Sequence, residues 1–285
     1  MKKLLFQLDT DPYPSVFDTV VAYDGGADHV IGFADCKPDT ISPLVEGAIF
    51  TRAEKDKKNS ALFIGGSDIN LGESILDSVR NIFFGKFQVS VMLDSNGCNT
   101  TASAAVVSML SSGSLSGKKA VILAGTGPVG TRAAIMMAKE GAEVTISSRS
   151  HERSAGVCKH IKAKFGVVVQ PSEAKSNEDR AKLIENANII LATGAAGIQL
   201  LSPEDWQNNP NIEIITDANT VPPLGIGGVE MSDKGNERHG KIIWGALGFG
   251  GLKLSLQRLC IERLFDSNDQ VLDVDEIFKI AKGMM

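Results

Sequence analysis

The chain lacks most of the features that would assign it to a membrane, to nucleic acid or to a metal. Of its 285 residues 22% are charged, with a net charge of -5 at pH 7, so there is no basic field to attract phosphate backbones. No apolar run is long enough to span a bilayer. The opening "MKKLLFQLDTDPYP" has the two lysines and apolar start of a signal peptide. Gln7 and Asp9 break that run too early for a secretory core, and it reads instead as a first β-strand. Cys36, Cys98, Cys158 and Cys260 form no Cys-x-x-Cys pair, so neither a zinc site nor a disulfide scaffold is implied and a reduced, cytoplasmic protein is expected. His29, His151, His160 and His239 stand far apart in polar contexts, as surface or turn histidines do. Metal-ligand spacing, a nucleophile elbow and a Cys/His pair are all missing, which leaves chemistry that needs neither a metal nor an obvious histidine base.

What is present is alternation. A chain of this length accommodates two cores. In the first half the apolar runs "KLLFQL", "HVIGF", "ALFIGG" and "FQVSVML" are separated by helix-like segments such as "PSVFDTVVAY", "SPLVEGAIF" and "GESILDSVRNIFF". Such a sequence predicts a mostly parallel α/β layer. "CNTTASAAVVSMLSSG" reads as a helix, and the Ser/Gly-rich "SSGSLSGKK" that follows is the expected domain boundary. The expected division is residues 1–112, 113–250 and 251–285. No repeat of solenoid spacing is visible.

The second half opens with a buried-type strand, "KKAVILAG", that runs into "GTGPVG" and then into the helical "TRAAIMMAKEG". Gly125, Gly127 and Gly130 therefore sit in the strand-turn-helix context of a dinucleotide fingerprint. Gly125 permits the tight turn, Gly127 lets backbone approach a diphosphate, and Gly130 lets the helix pack close to the strand. Thr126, Pro128 and Val129 complete the turn, and anionic charge is expected at the helix N-terminus. A glycine turn without a ligand has the same sequence.

The end of the next strand, "AEVTISSRS", carries Ser147, Ser148, Arg149 and Ser150 where an NAD-binding unit usually has an acid for the ribose 2′-hydroxyl. An arginine and serines suit a 2′-phosphate, and the missing carboxylate removes a repulsion against it. NADP is therefore expected over NAD, although Arg149 alone also reads as a solvated loop charge. "VVVQPSE", "NIILATGAAG" and "EIITDANT" continue the doubly wound pattern and place Thr193, Gly194, Ala195, Asp217 and Asn219 at strand ends, where ligands bind in this architecture. Asp217 and Asn219 also read as turn formers.

Five blocks carry a more specific likeness: "LLFQLDTDPYPSVFD", "VMLDSNGCNTTASA", "VILAGTGPVGTRAA", "NTVPPLGIGGV" and "GALGFGGLKLSLQR". Together, and essentially end to end, the chain resembles the bacterial NADP-dependent methylene-tetrahydromethanopterin dehydrogenases of one-carbon metabolism. The resemblance implies an N-terminal α/β substrate domain, a Rossmann-like doubly wound NADP-binding domain, and C-terminal helices that pack back toward the first domain and border a pterin cleft. It also implies methylotrophy as the setting, a small-molecule pterin substrate and a homo-oligomer, with a trimer favoured. Its reaction is hydride transfer to NADP from the methylene bridge of 5,10-methylene-tetrahydromethanopterin. Methylene-tetrahydrofolate as substrate, or a non-catalytic NADP-binding protein, are the alternatives.

Carried over by position, the pterin-site residues fall on Phe17 in "SVFD", Thr101 in "NTT" and Lys253 in "GLKL". The relatives' histidine four residues after that lysine is replaced here by Gln257, which from the shared helix face can still reach the same ligand but carries no charge. Without that resemblance Phe17 reads as one more apolar helix residue, Thr101 as a helix cap or first-turn residue after Asn99, and Lys253 as a snorkelling side chain. No metal is expected.

Overall fold

Strands and helices alternate along the chain and form two sheets, in a computed structural model that describes residues 1–285. The first part contains β1 (Leu4–Asp9), α1 (Val16–Asp24), β2 (His29–Phe33), α2 (Ser42–Phe50), β3 (Ser60–Gly65), α3 (Ile69–Ile82), β4 (Ser90–Leu93) and α4 (Cys98–Ser112). The second contains β5 (Lys119–Leu123), α5 (Pro128–Lys139), β6 (Glu143–Ser148), α6 (His151–Phe165), β7 (Gln170–Glu173), α7 (Asn177–Leu183), β8 (Ile189–Ala192), α8 (Pro203–Trp206) and β9 (Ile214–Asp217). It ends with β10 (Lys234–Arg238), β11 (Lys241–Trp244) and α9 (Ala246–Arg263), before β12 (Val271–Leu272) and α10 (Val274–Lys282).

By packing, residues 1–100 and 254–284 form one unit, and residues 101–253 form the other. The chain changes unit inside α4 and again inside α9, so the Ser/Gly stretch after α4 is a connection within the second unit.

The first unit is a five-stranded sheet in the order β12-β4-β3-β1-β2, every pair parallel. Its strand β3, "SALFIG", is buried at every residue, as an interior parallel strand must be. Ile75, Leu76 and Val79 of α3 pack on Leu8, Leu62, Ile64 and Val91 in the core. The helices start where short polar side chains meet free backbone N–H groups: Ser15 accepts from Asp18 N, and Asp68 from Asn70 N and Leu71 N. The C-terminal segment returns to this unit, where Val271 of β12 pairs with Val91 of β4, and α10 is capped by Asp273.

The second unit has strand order β10-β11-β9-β8-β5-β6-β7. Without its antiparallel edge strand β10 this is the doubly wound arrangement of a dinucleotide-binding sheet. Leu123, Ile190, Ile215 and Ile243 of the strands, with Trp206 and Ile226, form its core. The order puts β5 beside both β6 and β8, so the C-terminal ends of these strands converge.

Candidate functional site

The glycine-rich turn follows β5 directly. Its left-handed residue is Ala124, at φ 51°. Ala124 N–H donates to Ser147 Oγ at 3.3 Å and Gly125 N–H to the Ser147 carbonyl at 3.0 Å, so the end of β6 holds the turn. Gly125 is required by packing, since a Cβ there would lie 2.6 Å from Ile122 Cγ2. A Cβ on Gly130 would lie 2.6 Å from the Gly125 Cα and carbonyl oxygen and from Thr193 Oγ1, so the close approach of helix to strand is built on that glycine. Gly127 differs: a Cβ there would meet no atom within 4 Å.

Gly127 is the N-cap of α5 and offers no capping side chain, and Pro128 follows it. The first-turn N–H groups of α5 are therefore not taken by a cap, which together with the helix dipole suits a diphosphate. Thr126, Gly127, Pro128 and Val129 are half-buried along this rim. The residues present fit a dinucleotide: backbone donors, room at Gly127, and a cavity beside them.

That cavity, of about 330 Å³, is lined by Ser148 and Arg149 from the end of β6, by Gly194 and Ala195 after β8, and by Ile198 and Leu200. Lys175 and Arg180 line it too, and no carboxylate does. Arg180 Nε donates to the Leu200 carbonyl at 2.6 Å and Nη1 to the Lys175 carbonyl at 3.4 Å, and burial holds its pKa below the usual arginine value. A desolvated cation of this kind favours a bound anion. Lys175 Nζ pairs with Glu173 at 2.9 Å. That hydrogen bond, with a second from His151 N–H, lowers the Glu173 pKa.

Of the serines read as phosphate ligands, Ser148 lines the cavity, whereas Ser150 caps α6 by accepting from Arg153 N–H at 3.3 Å. Thr193 Oγ1 lies 3.4 Å from the Leu123 carbonyl, next to the glycine turn. Asp217 and Asn219 stand apart from the cavity lining and order the loop after β9. Asp217 is 1% exposed and accepts from Asn219 N–H at 2.9 Å and Ile226 N–H at 2.7 Å. Burial pushes its pKa up against these bonds. Asn219 Nδ2 donates to the Ala195 carbonyl at 3.2 Å, linking that loop to a lining residue.

Lys175 and Arg180 escape a reading of the sequence because they flank the Ser176–Asp179 capping box of α7 and look like solvated helix charges. Their signal is position, since the end of β7 shares a sheet edge with the ends of β6 and β8.

In the first unit Phe17 stands in the first turn of α1, 52% exposed. A polar network fixes that turn: Ser15 N–H donates to Asp9 Oδ2 at 2.9 Å, and Gln7 Nε2 donates to Asp9 Oδ2 and the Ser15 carbonyl, each at 3.3 Å. Thr19 Oγ1 donates to Gln7 Oε1 at 2.9 Å. Gln257 is 1% exposed, and its Nε2 donates to Asp18 Oδ1 at 2.8 Å. This bond packs it on α1. Thr101 is half-buried in the first turn of α4. Asp94 makes the cap there, accepting from Asn99 N–H at 2.8 Å, Thr100 N–H at 3.1 Å and Thr100 Oγ1 at 2.6 Å, so Thr101 is not the capping residue. Lys253 is half-buried on α9, one helical turn before Gln257. No helix is long and apolar enough to cross a membrane.

Residues 16–96 match the family described as methylene-tetrahydromethanopterin dehydrogenase, N-terminal. The chain is 50% identical to the bifunctional protein MdtA of Methylorubrum extorquens strain AM1, over 99% of each chain. It is 29% identical to the NAD(P)-dependent methylenetetrahydromethanopterin dehydrogenase of the same organism, over 98% of each. A shikimate 5-dehydrogenase from Listeria monocytogenes, solved with shikimate and NAD, shares the fold at a TM-score of 0.54 and 15% identity, over 98% of this chain and 96% of that one. The chain belongs to the methylene-tetrahydromethanopterin dehydrogenase family.

Proposed function

We propose that the protein oxidises 5,10-methylene-tetrahydromethanopterin to the methenyl compound by direct hydride transfer to NADP. The observation that carries this reading is the acid-free cavity lined by Arg149, Lys175 and Arg180, in the same unit as an uncapped helix N-terminus at Gly127, within a chain half identical over its length to a member of the family. Bound NADP supplies the hydride acceptor. The backbone donors from Gly127 onward hold its diphosphate, and Ser148 and Arg149 hold the 2′-phosphate, with Lys175 and Arg180 adding positive potential.

Phe17, Thr101 and Lys253 hold the pterin. Hydride leaves a carbon bonded to two nitrogens, whose lone pairs stabilise the resulting cation, and no proton has to be removed. The side chains therefore serve as positioners rather than as general bases, a contribution worth up to roughly 7–11 kcal/mol in favourable systems. Lys253 binds the polar periphery of the pterin, because an ammonium close to the developing cation would raise the barrier.

The finer reading places this activity in the cytoplasm, in methylotrophic one-carbon metabolism, and in a homo-oligomer with a trimer favoured. Two exposed apolar groups support association. The rings of Phe50, Phe84 and Phe87 cluster at centroid distances of 5.0 to 6.1 Å, and α1 exposes Val16, Val20 and Tyr23. Sedimentation equilibrium tests the state. For the activity, protein and NADP are mixed with methylene-tetrahydromethanopterin, and separately with the tetrahydrofolate analogue, while NADPH absorbance is followed. Signal with the first is expected, and silence with both would leave only a binding protein.

A further inference from the structure

Gln257 is a buried amide with a charged partner, and its place in the fold shows what it acts on. At 1% exposure its Nε2 donates to Asp18 Oδ1 at 2.8 Å, a charge-assisted hydrogen bond to a half-buried carboxylate. Asp18 follows Phe17 in the first turn of α1, and its own N–H donates to Ser15 Oγ at 3.2 Å. Ser15 in turn is anchored on Asp9, which is fully buried at the end of β1. A Cβ on Gly65 would stand 3.4 Å from Asp9 Oδ2 and 3.7 Å from Asp18 Oδ2, so the end of β3 is also packed closely around both carboxylates. The turn bearing Phe17 is thus held from the sheet side through Asp9 and Ser15, and from α9 through Gln257 and Asp18.

Phe17 itself is 52% exposed, so the backbone turn that carries it sets where its ring stands. We infer that Gln257 is a positioning residue for the pterin site, acting through Asp18 to fix the first turn of α1 and with it the ring of Phe17. This inference rests on the proposed pterin chemistry. A neutral amide is well suited to that role, because the buried Gln257 side chain donates to the half-buried Asp18 carboxylate without itself carrying a charge that would have to be desolvated. Its effect on the reaction is exerted through the Asp18 carboxylate and the turn that carries it.

The test is a double-mutant cycle on Asp18 and Gln257, read by single-turnover hydride transfer in the full-length protein with NADP and methylene-tetrahydromethanopterin. Gln257→Leu should lower the rate constant roughly ten- to hundredfold, the range expected of a small misplacement of a positioning group, with NADP affinity and carrier-independent properties retained. Asp18→Leu should lower it comparably, and the double variant should lose no more than either alone, because both changes break one link. Asp18→Asn keeps an acceptor for the Gln257 amide and should lose much less than Asp18→Leu, which also covers the case in which a leucine variant fails to fold. Additive losses, or full hydride transfer in Gln257→Leu, would overturn the inference. Absence of hydride transfer in the native protein would instead refute the dehydrogenase reading itself.

Discussion

Arg180 donates from Nε to the Leu200 carbonyl at 2.6 Å, so one side chain both contributes positive charge to the cavity and holds a second segment of its lining. Arg149 has no such double duty in the lining. The two arginines should therefore fail differently.

Arg149→Ala should weaken NADP far more than NAD. A lost charge-assisted bond of about 1.5–3 kcal/mol corresponds to roughly tenfold to more than a hundredfold in Kd. Arg180→Ala should weaken both cofactors, because the Leu200 wall is released as well as the charge. Calorimetric titration of each variant with each cofactor checks this, and equal losses of NADP and NAD in Arg149→Ala would contradict the assignment of that residue.

The glycines of the turn should separate folding from binding. Gly130→Ala puts a Cβ 2.6 Å from the Gly125 backbone and should cost about 1–3 kcal/mol of stability, as overpacking does. Gly127→Ala meets no atom within 4 Å, so its denaturation midpoint should stay near native while NADP binding falls at least about tenfold by blocking the diphosphate. Urea denaturation and cofactor titration on the same two variants measure the split.

Asp217 has a folded-state pKa raised by burial, so the folded protein binds its proton more tightly than the unfolded chain does. Its contribution to stability is therefore greatest at pH values below the unfolded carboxyl pKa and falls as pH rises through the folded value. Asp217→Asn removes this dependence. The difference in unfolding free energy between native and variant protein should change with pH across the acidic range and flatten above it. The variant should also be less stable by about 1–3 kcal/mol near neutrality, where its amide cannot accept from both Asn219 and Ile226.

Much of this was legible in the sequence, for identifiable reasons. The doubly wound unit shows itself because "KKAVILAG", "GTGPVG" and "TRAAIMMAKEG" obey strand, turn and helix chemistry in succession, and β3 shows itself as an unbroken apolar run. Ala124 did not, because a non-glycine residue at positive φ leaves no mark in composition. The antiparallel edge β10, "KGNER", is polar and mostly exposed, so it has no apolar alternation to read. β12 is two residues long and gains its place only by pairing with β4. The Gln257–Asp18 bond joins residues 239 apart in sequence, and nothing local to either position signals it.

The pterin residues should affect chemistry without affecting the cofactor. Phe17→Ala should slow hydride transfer roughly ten- to hundredfold at nearly unchanged NADP affinity, and a collapse of NADP binding in a folded variant would contradict the division of roles. Lys253→Ala should also slow the step without adding a pH dependence. In the native protein the step should be almost flat between about pH 6 and 8, a span that brackets the ~6.5 reference pKa of histidine. A steep native titration abolished by Lys253→Ala would make the lysine an acid–base catalyst.

Direct hydride transfer from the methylene carbon is the central claim, and isotopic labelling tests it most directly. Carrier bearing two deuterons on its methylene bridge is turned over once with NADP, and the products are examined by NMR and mass spectrometry. One deuteron should appear at the nicotinamide C4 of the NADPH and the other should remain on the methenyl carbon, with none in water and with a primary isotope effect on the single-turnover rate. Unlabelled NADPH, deuterium released to solvent, or no NADPH at all would contradict the account.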